Sequence, residues 1–264
     1  MTKDSTDTVI GANPGSSWRG ALFFVPLFAW ALIGAGMIGV MAMLSEHYAK
    51  TGWISSVRLW GRFPLMLIGV KLDVHGIEHR DSPGSKLILF NHVSLLDLFV
   101  LSALCPERAI VLYKIEFERI PGIAIAFTKL GMIPVDRTNL ESAVTSIMQA
   151  GRRIQSEGGT CVIAPEGTRS RNGGLQRFKL GAFHLAAEHS IPIVPMVMRG
   201  LDQILPMGKL IARSGTIRID FLPAIETSDW STEDSRQHSQ EVRDLFLEYL
   251  PAEKKPKRKP KKDA

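Results

Sequence analysis

Leu87-Ile88-Leu89-Phe90-Asn91-His92-Val93-Ser94-Leu95-Leu96-Asp97 joins four apolar residues to a segment that carries an imidazole and, five positions later, a carboxylate. A short apolar run bounded by polar residues reads as a buried strand, and Ser94-x-x-Asp97 reads as a helix start. Inside an unbroken helix, five positions would turn Asp97 about 140° away from His92. A contact between the two therefore predicts a strand-turn-helix junction, with His92 in the turn and Asp97 in the first helical turn. Histidine titrates near neutrality, so it can take a proton from a hydroxyl and return it within one turnover. A carboxylate on its far nitrogen fixes the tautomer and stabilises the imidazolium. The same letters also fit a plain capping box beside an incidental loop histidine.

A second stretch repeats the pattern. Thr160-Cys161-Val162-Ile163 reads as a strand and runs into Ala164-Pro165-Glu166-Gly167-Thr168-Arg169-Ser170. Parallel α/β sheets place ligands at the carboxyl ends of their strands, so two strands that each end in a polar loop point to one shared site. From Val70 onward strand-like and helix-like runs alternate, which predicts an α/β domain with a largely parallel sheet flanked by helices. The expected strands are 70–75, 85–90, 109–113, 131–135, 160–164, 192–198 and 215–221. The expected helices are 95–104, 122–129, 139–156, 179–189 and 232–249, the third opened by a Thr138-x-x-Glu141 capping box.

Upstream, residues 1–18 are polar and contain Gly and Pro, which suits a flexible lead. Ala21 to Leu44 is 24 residues without a charge, more than the roughly 20 needed to cross a bilayer core. Leu59 to Val70 is a shorter apolar stretch broken by Arg62 and Pro64. Residues 19–69 are therefore expected to anchor the chain in the cell membrane, as one apolar helix or as a helical hairpin. Basic residues are fewer before the first stretch (Lys3, Arg19) than after it (Lys50, Arg58, Arg62, Lys71), which places the following domain, 70–250, on the cytosolic face. Gly34-Ala35-Gly36-Met37-Ile38-Gly39 spells a dinucleotide fingerprint, but no strand precedes it and no acidic partner follows. Small residues there suit close helix packing instead.

Formal net charge is +6, yet residues 251–264 hold seven Lys or Arg against Glu253 and Asp263. The rest is nearly neutral, which argues against a nucleic-acid-binding face and assigns the basicity to a disordered tail suited to anionic lipid. Cys105 and Cys161 sit in apolar runs without metal-ligand spacing, and no G-x-S-x-G elbow occurs. Neither a disulfide framework, a metal nor an organic cofactor is called for.

Four blocks in fixed order carry a family resemblance: Asn91-His92 through Asp97; Lys114 and Glu116 through Pro121-Gly122 and Gly131 to Asp136-Arg137; Pro165-Glu166-Gly167-Thr168-Arg169-Ser170; and Val194-Pro195. Across residues 70 to 225 the chain resembles the glycerolipid acyltransferases, specifically the 1-acyl-glycerol-3-phosphate (lysophosphatidic acid) acyltransferases that make phosphatidic acid. Ala164 departs from the family's usual phenylalanine, which bears on packing under the loop. The resemblance implies acyl transfer from acyl-CoA or an acyl-carrier protein, as co-substrate, to the sn-2 hydroxyl of lysophosphatidic acid. His92 would be the base and Asp97 its orienter, with Gly167, Thr168, Arg169, Arg137 and Lys114 on the acceptor and membrane lipids as surroundings. Glu166 belongs to the same acceptor loop and would either bind a glycerol hydroxyl or hold Arg169, and Lys179, two residues before Gly181, is a further cation for the phosphate. Acylation of another lysolipid, or a non-catalytic lipid-binding adaptor, remains open at this point.

Overall fold

The computed structural model describes residues 10–13, 17–48, 52–119, 127–136, 138–170 and 174–251. In chain order its elements are β1 (Gly11–Ala12), α1 (Ser17–Leu44), α2 (Trp53–Leu67), β2 (Val70–His75), α3 (Ile77–Asp81), β3 (Lys86–Phe90), α4 (Asp97–Ala103), β4 (Ala109–Ile110), β5 (Leu112–Lys114), a 3-10 turn (Ile115–Arg119), β6 (Ile133–Val135), α5 (Leu140–Glu157), β7 (Thr160–Ile163), α6 (Gly181–His189), β8 (Ile193–Arg199), α7 (Leu201–Ile204), β9 (Gly215–Phe221) and α8 (Ser235–Tyr249).

The main sheet runs β1-β9-β8-β3-β7-β4, with β2 also on β9. β3 lies parallel to both neighbours, Leu87 standing opposite Cys161 and Ile193. β9 is antiparallel to β8 and parallel to β2, so the sheet is mixed and mostly parallel. Gly215 pairs with both Ala12 and Val70, which puts β1 and β2 on opposite sides of β9; β1 occupies the side that β8 leaves after Arg218. β5 and β6 form a separate parallel pair.

β3 is buried along its whole length because it feeds two cores. Leu87 and Leu89 pack with Ile154 of α5, Phe183 of α6 and Phe246 of α8 on one face. Ile88 and Phe90 pack with Leu65 of α2, Val100 of α4 and Leu201 of α7 on the other. A strand covered on both faces reads as a continuous apolar run instead of an alternating one. Each such side chain stabilises the fold by about 1.5–3 kcal/mol when it leaves water.

α5 starts one residue later than expected. Asn139 is its cap, the Oδ1 accepting from the Ser142 N–H at 3.1 Å. Thr138 is unavailable for that role, since its hydroxyl donates to Asp136 at 2.6 Å in a local turn.

α1 and α2 pack as an antiparallel pair. Trp30 donates its indole N–H to the Trp60 carbonyl at 3.0 Å and its ring sits 4.5 Å from that of Phe63. A Cβ at Gly34 would stand 2.5 Å from Trp60 Cδ1, so the close approach needs glycine. α2 is seated on α4 in the same way: a Cβ at Gly61 would meet Ala103 N at 2.4 Å and Phe99 O at 2.5 Å. The outer side of α1 exposes Leu22, Val25, Ile33, Met37, Val40 and Leu44. Among the described residues no helix is long and apolar enough to cross a membrane. Most of the helix expected over 122–129 and the basic tail beyond Pro251 lie outside the described residues.

Candidate active site

The chain leaves β3 at Phe90, turns through residues 91–96 and enters α4 at Asp97. His92 Nδ1 lies 2.5 Å from Asp97 Oδ2. The same oxygen accepts the backbone N–H groups of Val93 at 2.9 Å and Ser94 at 3.2 Å. The capping box is only half made: Leu96 is the N-cap without a side-chain bond, and Ser94 Oγ accepts from the Leu96 N–H at 3.3 Å, while the Asp97 carboxylate closes the turn and holds the imidazole. Burial raises the pKa of Asp97 above its ordinary value, and the His92 ring and the two amides pull it back. Three donors converging on one oxygen favour the anion, with the shared proton on Nδ1. Nε2 is then the basic nitrogen of the ring.

Two further contacts hold the turn. Asn91 spans to β8, its Nδ2 donating to Met198 O at 2.9 Å and its Oδ1 accepting from Met198 N at 2.8 Å. Ser94 Oγ donates to Leu205 O at 2.9 Å. The Phe90 ring stands edge-on to the imidazole at 5.7 Å.

The second loop is bound to the first. Glu166, only 3% exposed, accepts the His92 backbone N–H with Oε1 at 2.8 Å and the Gln176 N–H with Oε2 at 2.8 Å. Ser170 N–H donates to His92 O at 2.9 Å. Glu166 is therefore a strut between the catalytic turn and the 165–176 loop, each of its oxygens held by one backbone amide. Its pKa is raised by burial, which the two amide bonds oppose. Gly167 adopts φ +72°, and its N–H closes a turn onto Ala164 O at 3.0 Å.

His92, Asp97, Glu166, Gly167, Thr168 and Lys114 line one cavity of ≈ 1950 Å³, whose other walls are mainly apolar. Ile38 of α1 and Trp53, Val57 and Trp60 of α2 close one side, and Val144, Ile147 and Met148 of α5 stand on another. Lys114 pairs with Glu116 at 2.7 Å. Arg169 is half-buried and does not line the cavity, while Arg137 lies outside the described residues. Lys179 does line it, folded over Gly167: a Cβ on that glycine would meet Lys179 Cε at 2.8 Å and Nζ at 2.9 Å. Among the described residues there is no group of His, Cys, Asp or Glu that could hold a metal ion. Burial pushes the thiols of Cys105 and Cys161 up to about 12, which leaves neither as a thiolate nucleophile.

Three parts of this site escaped the sequence. Gln176 meets Glu166 through its backbone, which no side-chain motif encodes. Asn91 reads in the sequence as no more than the residue before His92, although a buried Asn ending an apolar strand signals a cross-strand bond. The contribution of α1 and α2 to the cavity wall has no local signal.

The Acyltransferase family profile matches residues 71–199. The 1-acyl-sn-glycerol-3-phosphate acyltransferase of Limnanthes douglasii is 31% identical over 240 residues, covering 89% of this chain and 82% of that protein. Human 1-acyl-sn-glycerol-3-phosphate acyltransferase beta is 29% identical, covering 82% and 79%. The crystal structure of the 1-acyl-sn-glycerophosphate (LPA) acyltransferase PlsC from Thermotoga maritima superposes with a TM-score of 0.72 at 20% identity, over 90% of this chain and 96% of that one, which establishes the shared fold. With these likenesses added to a His92–Asp97 pair whose carboxylate is buried and whose imidazole lines an apolar cavity, the chain belongs to the 1-acyl-sn-glycerol-3-phosphate acyltransferase family.

Proposed function

We propose that the protein transfers an acyl group from a thioester, acyl-CoA or acyl-carrier protein, to the sn-2 hydroxyl of 1-acyl-glycerol 3-phosphate, giving phosphatidic acid. The observation that carries this reading is the 2.5 Å contact between His92 Nδ1 and Asp97 Oδ2 on the wall of a large apolar cavity. His92 Nε2 removes the proton of the hydroxyl as its oxygen attacks the thioester carbonyl. Collapse of the tetrahedral adduct breaks the C–S bond, and the imidazolium returns its proton to the thiolate. Asp97 stabilises the imidazolium in between. No enzyme nucleophile is required, which agrees with the two raised thiols. The apolar walls accommodate acyl chains. Arg169, Arg137, Lys114 and Lys179 are the cations assigned to the acceptor phosphate, where guanidinium groups give bidentate geometry.

In this reading residues 19–69 anchor the protein by laying the exposed apolar side of α1 into one leaflet, residues 70–250 catalyse, and the tail 251–264 holds to anionic lipid. The test is thiol release by the detergent-solubilised protein with a long-chain acyl donor and several lysolipids, beside His92→Ala. Release that depends on lysophosphatidate and vanishes in the variant is expected. Release only with another lysolipid moves the substrate, and release that survives in His92→Ala overturns the mechanism.

A further inference from the structure

Between α7 and β9 the chain makes a loop, residues 205–213, that the catalytic scheme does not use. Met207, Leu210 and Ile211 are 42%, 65% and 47% exposed, and Lys209 and Arg213 are exposed among them. The loop is a built structure. Leu205 and Ala212 are buried in the same core as Val93 and Leu96, Arg213 N–H donates to Ile204 O at 2.9 Å, and Lys209 N–H closes a turn onto Pro206 O at 3.0 Å, with Gly208 at φ +79°.

Its position is fixed relative to the active site, because Ser94 of the catalytic turn donates its hydroxyl to Leu205 O at 2.9 Å. That turn and the start of α4 expose Leu95 at 49% and Leu98 at 56%, and Leu98 also lines the cavity. Five large apolar side chains therefore stand in water on two elements that share a core and are bonded through Ser94, and one of these elements lines the cavity. Single exposed apolar residues are ordinary, whereas a group of this kind marks a contact surface.

We propose that residues 205–213, with Leu95 and Leu98, form a second membrane-contact surface, separate from α1, that seats the mouth of the active site on an anionic bilayer. Apolar side chains interleaved with Lys209 and Arg213 fit a lipid interface, where aliphatic groups enter the acyl boundary and cations meet headgroup phosphates. The inference rests on the reading that the acceptor is a lysolipid, since only an acceptor held in a membrane gives the mouth reason to lie against one.

The test uses the full chain with Ile211→Cys labelled by an environment-sensitive NBD dye. Both native cysteines are buried, so the new thiol is the one that reacts. Vesicles of phosphatidylcholine and phosphatidylglycerol should shift the emission to the blue and make it quenchable by brominated lipid, while the same dye at Glu248→Cys on α8 stays unchanged. Unchanged emission at position 211 with vesicles that sediment the protein would overturn the proposal, as would failure to sediment at all. Leu210→Glu with Ile211→Glu should raise the apparent KM for vesicle-borne lysophosphatidate about tenfold or more and leave turnover of a soluble short-chain acceptor intact. Equal effects on both acceptors, or none on either, would contradict it. The dye measurement needs no turnover, so absence of thiol release with lysophosphatidate in the unmodified protein would count against the assigned reaction independently.

Discussion

Replacing Glu166 by Ala tests whether this residue holds the catalytic turn or the acceptor. In the wild type each carboxylate oxygen takes one backbone N–H at 2.8 Å, from His92 and from Gln176. Alanine leaves both donors without a partner, and each buried orphan costs about 1–3 kcal/mol. Removing a buried carboxylate whose pKa is raised by desolvation recovers part of that loss, and water entering from the cavity recovers more. The net cost should be about 3 kcal/mol, which for a chain of this size lowers Tm by roughly 6–12 °C. Glu166→Gln keeps one acceptor and should fall between alanine and wild type. Because His92 N–H is one of the two groups released, the imidazole drifts from Asp97, and a displacement near 1 Å costs about 100-fold in rate. Differential scanning calorimetry and steady-state kinetics on the same preparations would report both effects: lower Tm, lower kcat, and little change in the KM for lysophosphatidate. A raised acceptor KM with kcat and Tm preserved would mean that Glu166 faces the substrate, and the strut assignment would be wrong.

The same carboxyl gives a pH signature. Burial raises its folded pKa above the ordinary value of 4.5, so its contribution to stability is complete below that value and is lost as pH rises through the folded pKa; the urea midpoint of wild type should therefore fall more steeply than that of Glu166→Gln upward from about pH 4.5, and parallel curves would refute the shift. At the acceptor end, Lys179→Gln should raise the KM for lysophosphatidate about tenfold with kcat nearly unchanged. Gly167→Ala should do the same by displacing the lysine, at an added cost of about 1–2 kcal/mol for a Cβ at φ +72°. If Arg169→Ala alone moves that KM, the phosphate lies outside the cavity wall on which Lys179 stands.

The strands were legible because β3, β7 and β8 are apolar runs ending in polar or glycine-bearing turns, and because Thr216 to Phe221 of β9 alternates polar with apolar residues. What the letters could not give was direction. Nothing in Gly215–Phe221 distinguishes an antiparallel neighbour from a parallel one, and that one strand makes the sheet mixed. The cap of α5 moved from Thr138 to Asn139 because two adjacent residues could each cap, and the choice fell to Asp136, which had already taken Thr138. In the site, the five-residue spacing of His92 and Asp97 stated its geometry in advance, since a strand-turn-helix junction is the arrangement that lets them touch. The part of Glu166 was not legible, because its partners are backbone amides and one of them is ten residues away.

The anchor and the chemistry were expected as separate stretches, 19–69 and 70–250, yet α4 joins them. Its first residue is Asp97, and its Phe99 and Ala103 lie against Gly61 of α2 so closely that no side chain fits between. Trp53, Val57 and Trp60 of α2 and Ile38 of α1 then complete the wall of the cavity that His92 faces. A tether would need none of these contacts, because a flexible linker delivers a domain to a surface without fixing its orientation. Rigid packing fixes the angle between the cavity and the exposed apolar side of α1. With α2 seated on α4, α1 packed on α2, and the 205–213 loop bonded to Ser94 of the catalytic turn, the proposed membrane seating would hold His92 in register with the bilayer. Lysophosphatidate is an amphiphile whose reactive oxygen lies at a fixed depth in a bilayer, so in the proposed arrangement rigid seating would convert membrane binding into positioning of that oxygen.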